Sequence, residues 1–181
     1  MLELENKVST LAISMGYVLY DMFWAKENEH AILRIFLSKE LPSQSLEYFA
    51  DLQNAKSIES QQLDALPKRD SISLQDCELF SKTLSPLLDV ELVSQEKYFL
   101  EVSSPGLERV LKKPQHFVYS IGEELEIKSK QNTHSQGLLL ASSDRSGQVG
   151  ALLLCTEDSQ RYGIEFIPFE NIKKAKTIFR F

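Results

Sequence analysis

The residues best suited to chemistry gather in one stretch of the chain. Between Glu101 and Arg109 stand two adjacent serines, Ser103 and Ser104, two carboxylates, Glu101 and Glu108, and one guanidinium, Arg109. A serine nucleophile needs a neighbouring base, and none of the three histidines, His30, His116 and His134, stands out as one. Placed just before Pro105-Gly106, the two hydroxyls are better suited to bonding turn amides. Glu101 falls on an expected strand and Glu108 beyond the turn, so spacing does not make them an acid–base pair.

Other constellations are missing. The sequence holds no Walker phosphate loop, no GxGxxG after a strand, no HExxH and no GxSxG elbow. The histidines show no metal-ligand spacing with each other or with Cys77 and Cys155, so neither a metal nor another cofactor is expected. The two cysteines read as buried, reduced thiols. Gly147-Gln-Val-Gly150 matches a KH-type GxxG loop on its face. It joins two β-rich runs and carries no basic residue, which makes it a hairpin turn.

The elements that must position the Glu101–Arg109 stretch follow from periodicity. Leu4, Val8, Leu11, Ala12 and Met15 share one face of a helix over 2–15, stopped by Gly16. Two β-rich runs, Tyr17–Ala25 and His30–Ser38, form a hairpin turning near Asn28. In the second run Leu33, Ile35 and Leu37 make an apolar face, and Ile32, Arg34 and Phe36 a mixed one. Residues 40–70 read as a partly helical insertion, with Leu46, Phe49, Ala50 and Gln53 on a short helix and Ser57–Gln62 weakly patterned. Ser73-Leu-Gln-Asp76 approaches a capping box at the head of a helix with Cys77, Phe80, Leu84, Leu87 and Leu88 on its apolar stripe. Pro86 is expected to kink that helix or end it early. A third strand spans Tyr98–Ser103. At its end Pro105 sets one turn position and Gly106 a positive φ, a type II turn placing Leu107 against the core.

Beyond Gly122 come short β-runs at Glu124–Lys128, Gly137–Ser142, Val149–Thr156, Tyr162–Phe166 and around Ile172–Phe179. Turns are expected at Asn132, Asp144–Gly147 and Glu157–Ser159. Five strands in about sixty residues suggest a small barrel. The fold class is therefore α+β, with a first domain over 1–118 and a barrel domain over 119–181.

Composition bounds the function. The chain has 181 residues, 43% hydrophobic and 25% charged, ordinary for a globular protein. No apolar stretch approaches the ~20 residues of a membrane span, and Glu3, Glu5 and Lys7 interrupt any signal-peptide core. A cytoplasmic protein is expected, a monomer in the simplest case. The net charge is −6, with 18 acidic and 12 basic side chains in 1–118 and 8 of each in 119–181. An acidic first domain attracts basic proteins and repels phosphate backbones.

The run Tyr98-Phe-Leu-Glu-Val-Ser-Ser-Pro-Gly-Leu-Glu-Arg109 resembles the signature of the RimP family of ribosome maturation factors. Asp76-Cys77, Ser81, Leu88-Asp89, Gly122 and Ile172-Lys-Lys-Ala175 extend the likeness. The chain departs from the family at Val110, where a proline is usual, and in the 40–70 insertion. The resemblance implies a two-helix, three-stranded N-terminal domain and a C-terminal Sm-like (SH3-like) β-barrel. It also implies a non-enzymatic protein that binds the free small (30S) ribosomal subunit. Such a protein aids late assembly, in particular incorporation of the basic twelfth small-subunit ribosomal protein.

On that reading Asp89, Glu91, Glu101 and Glu108, with Ser103, Ser104 and Arg109, form an acidic edge for a basic ribosomal protein. Arg109 alternatively completes a small anion nest, and the plainest alternative is a rigid turn whose polar groups satisfy one another. Lys173, Lys174 and Lys176 would touch 16S rRNA phosphates, or else form a solvated strand edge that discourages aggregation. The rival functions are a general RNA-binding Sm-like module and a hydrolase acting through Ser103 or Ser104.

Overall fold

A computed structural model describes residues 2–54, 70–93, 97–143, 147–156 and 162–179, apart from the side chains of 43–46 and 53–54. Ser57–Gln62 and the turns at 144–146 and 157–159 lie outside the described residues. The rest falls into two compact units, one within 1–40 and 70–105, the other within 41–69 and 106–181. This division differs from a cut at residue 118. Residues 106–118 group with the second unit, and so do the described residues 41–54.

In the first unit α1 (Leu2–Ser14) buries Leu4, Val8 and Ala12. Its end is a Schellman closure, the Tyr17 amide donating to the Ala12 carbonyl at 2.9 Å and the Gly16 amide to Ile13 at 3.0 Å. Strands β1 (Val18–Glu27) and β2 (His30–Ser38) pair antiparallel. Asn28 and Glu29 both have positive φ, 46° and 68°, as a two-residue type I′ turn requires. The helix α3 (Leu74–Glu91) follows α2 (Ser43–Asn54) in the chain. A full capping box opens α3: the Ser73 hydroxyl accepts from the Asp76 amide, and the Asp76 carboxylate accepts from the Ser73 amide.

Pro86 does not end α3, which runs on to Glu91. Leu84 and Leu88, on either side of it, are buried at the core and hold the helix across the missing bond. Strand β3 (Tyr98–Ser103) then pairs parallel to β2, giving the order β1-β2-β3. One face of this sheet, with Leu33, Ile35 and Leu37, shares a core with α1 and α3.

In the second unit the strands are β4 (Val110–Leu111), β5 (Glu124–Ser129), β6 (His134–Ser143), β7 (Val149–Thr156), β8 (Tyr162–Pro168) and β9 (Ile172–Thr177), with the short helix α4 (Pro114–Val118) after β4. They form one sheet in the order β4-β9-β5-β6-β7-β8. Among the described residues β4 and β8 do not pair with each other. The barrel expectation is met as a six-stranded sheet and not as a closed barrel.

Leu125, Ile127, Leu139, Leu153 and Ala175 form its inner core with Leu111 and Phe117. The alternate residues Leu138, Leu140, Leu152 and Leu154 would otherwise face water. They are covered by Phe49 and Leu52 of α2. The helix α2, the described part of the supposed insertion, is thus a cover for the second sheet, and its apolar pair at i and i+3 is what ties it there. Gly122 makes room for this cover, since a Cβ there would meet the Phe49 ring at 2.8 Å.

Candidate functional site

The Glu101–Arg109 stretch divides between the units: Glu101 to Pro105 belong to the first and Gly106 to Arg109 to the second. Gly106 has φ +82°, which the turn after Ser104-Pro105 needs. Leu107 does not turn inward: it is 66% exposed. Its carbonyl is what the turn engages, accepting from the Thr177 hydroxyl at 2.8 Å. The Arg109 amide donates to that hydroxyl oxygen at 2.9 Å, and the Thr177 amide donates to the Arg109 carbonyl at 2.9 Å.

The Arg109 guanidinium is spent within the protein. Nη2 donates to both Glu123 carboxylate oxygens, at 2.9 and 2.7 Å, and to the Ser120 hydroxyl, while Nη1 donates to the Gly106 carbonyl. Its side chain is 11% exposed. An anion nest at Arg109 is therefore not what these contacts form; they make a clamp that pins the turn. Ser103 is half-buried and Ser104 exposed, and among the described residues no histidine bonds to either. His30 instead packs edge-on against Phe99, and His116 Nδ1 accepts from the Lys112 amide.

Within the first unit, Asp89 and Glu91 do not share a face with Glu101. Asp89 and Glu91 lie on α3, which covers the core face of the first sheet. Glu101 lies on the other face, because its neighbours Leu100 and Val102 take the core side of β3. Glu108 belongs to the second unit. Glu91 is paired with Lys7 at 2.7 Å, and this pair, with Glu3, holds the Lys7 ammonium above its ordinary range. Asp89 is exposed and forms no ion pair among the described residues.

On the open sheet face Arg34 bridges Glu101 at 3.0 Å and Glu27 at 2.6 Å, so both carboxylates are half-neutralised there. Phe23, Phe36 and Phe99 flank this ladder, Phe99 59% exposed and Phe23 meeting Phe36 edge-on at 5.7 Å. Sequence reading found Glu101 but not its partner Arg34, although Arg34 stood on the mixed face of its run.

The three C-terminal lysines also divide. Lys176 is bonded to Glu126 at 2.9 Å, its cross-strand partner on β5. That bond lifts the lysine and lowers the carboxyl from their ordinary ranges. Lys173 and Lys174 are exposed and form no ion pair among the described residues. They line a cleft of about 340 Å³ with Lys112 and Lys113, which sequence reasoning missed. Of these lysines only Lys176 is flanked by β4, which pairs with β9 at Lys176 and Ala175 and stops short of Lys174 and Lys173.

Cys77 and Cys155 are both free thiols. Burial pushes Cys77 up, and burial beside Glu165 pushes Cys155 up to about 11, so neither is a ready thiolate. No group of metal-ligating side chains occurs among the described residues, and no helix among them is long and apolar enough to cross a membrane.

Residues 7–108 match the family model described as the RimP N-terminal domain. The match covers more than half of the 181 residues and ends at the signature run, one residue before Arg109.

Proposed function

The chain belongs to the RimP family of ribosome maturation factors, and from that premise we propose that it binds the free small (30S) ribosomal subunit and promotes its late assembly. It acts by binding and not by catalysis, in the cytoplasm, as a monomer, and it aids incorporation of the twelfth small-subunit ribosomal protein. The observation that carries this reading is the family match over residues 7–108, the same span that holds the acidic excess.

Charge supports the choice of partner. The segments of the first unit hold 13 acidic and 6 basic side chains, a balance of −7, and those of the second hold 13 and 14, a balance of +1. A field of that sign steers a basic protein toward the first unit. Asp89, Glu91 and Glu101 contribute from two faces of that unit, with Ser103 and Ser104 at the end of β3. Glu108 adds to it from the second unit, and Arg109 serves by holding the turn. Of the C-terminal lysines Lys173 and Lys174 would reach 16S rRNA, Lys176 being held by Glu126, on a second unit proposed to be Sm-like in descent. A general RNA-binding module is the weaker reading, because the acidic first unit opposes tight binding to RNA alone.

The test is reconstitution. Small-subunit particles assembled without the twelfth protein are given that protein with and without the chain, and its incorporation is followed over time. Faster incorporation in the presence of the chain is expected. An unchanged rate removes this step from the proposal.

A further inference from the structure

The lysines of the second unit sit in an arrangement that its stability does not call for. Strands β5 and β9 pair with Glu126 opposite Lys176 and, one pair along the same face, Lys128 opposite Lys174. The first pair is complementary and closes into a 2.9 Å ion pair. The second sets two like charges directly opposite each other, which destabilises a sheet. Glu126 feels Lys174 at longer range but is bonded to Lys176.

Beside Lys174 open the cleft and its further lysines, Lys112, Lys113 and Lys173. Lys112, Lys173 and Lys174 are exposed and have no carboxylate within ion-pair distance among the described residues. Glu170, on the neighbouring turn, is exposed and makes no such pair. A shift in the β5–β9 register between Lys128 and Ser129 breaks the ladder at this point. Such irregularities re-aim side chains. The cleft also has an aromatic lining: Phe117 and Phe169 meet at a tilt of 48° with centroids 4.7 Å apart, and Phe169 remains partly exposed.

We propose that this cleft binds the phosphate backbone of single-stranded RNA, with its Lys112, Lys173 and Lys174 meeting the phosphates, Lys128 extending the row from across Lys174, and the Phe169 ring receiving a base. Neighbouring strands lie about 4.8 Å apart, so the row from β5 to β9 offers ammonium groups at intervals that long stems can match to successive phosphates. Lysines serve as point charges and read no sequence, while an aromatic platform accepts any base. The like-charge pair is then relieved when the polyanion arrives. The occupant rests on the ribosomal reading above, but the geometry does not.

The test uses the full chain and a fluorescein-labelled single-stranded RNA of about twelve nucleotides, titrated by anisotropy between about 50 and 200 mM salt. Replacing Lys112, Lys173 and Lys174 by alanine should weaken binding by about tenfold or more and flatten the salt slope by about 2. Lys176→Ala should change binding little, because that lysine is already paired. Lys174→Glu should lower RNA binding while leaving the melting temperature unchanged or raised, since it turns a like-charge pair into a complementary one.

The proposal is overturned if the triple variant binds as the parent does, if polyglutamate competes as well as RNA, or if Lys174→Glu lowers the melting temperature. Should the chain still sediment with small subunits when its cleft fails these tests, the ribosomal reading stands and only the RNA site falls.

Discussion

The two units use the same means to opposite electrostatic ends. Each buries a layer of leucines on a sheet under helical cover, α1 and α3 in the first and α2 in the second. The first carries a balance of −7, yet several of its carboxylates are already engaged: Glu101 and Glu27 by Arg34, Glu91 by Lys7, Asp76 by its own cap. The second is nearly neutral, yet three of its lysines stand together without an ion pair among the described residues. Net charge and available charge are different quantities. A unit that looks electrostatically bland on a count can hold the stronger local field, and a strongly acidic one can have little of its charge free at any single spot.

The sharpest way to break this comparison is to remove the cover that defines the second unit. Phe49 is 1% exposed against the outer leucines of β6 and β7. Phe49→Ala should cost about 3–5 kcal/mol. Hydrogen exchange should then rise in β6 and β7 and stay unchanged in β1 and β2. Equal loss in both sheets would contradict the assignment of α2 to the second unit.

Next in size is the clamp on the turn. Arg109→Ala strands Glu123 and frees the Gly106 carbonyl and Ser120, and should cost about 2 kcal/mol by denaturant melting. If the clamp is structural, association with a basic partner survives once the variant is folded. Loss of association by a variant with native exchange protection would return Arg109 to the contact surface.

The smallest effect falls on the first unit's α3 cap. Ser73→Ala should cost about 1 kcal/mol. The Asp76 carboxyl is held at about 2 by the Ser73 amide, then the Ser73 and Tyr17 hydroxyls. Because its folded pKa lies below the ordinary value near 3.8, its contribution is whole above that pH and fades as the pH falls through 2. Stability measured from pH 5 downward should therefore fall less steeply in Ser73→Ala than in the parent.

Local signals in the sequence were legible because their physics is local. The capping box at Ser73, the Asn28 turn, the stop at Gly16 and the five C-terminal strands all depend on residues within a few positions of one another. The helical reading of Phe49 was also sound, but its allegiance was not visible, since periodicity says which face is apolar and not which sheet it meets. The same limit hid the site. Nothing in the spacing of Lys112 and Lys174 announces that both line one cleft, nor does Glu101 reveal that Leu100 and Val102 turn it away from Asp89. Those relations come from strand register across distant segments.

The claim underlying the whole account is that this chain recognises the unjoined small subunit. Sedimentation of the tagged chain with free small subunits, free large subunits and joined ribosomes tests it directly. Co-migration with free small subunits alone is the predicted result. Equal association with all three particles, or with none, would contradict it.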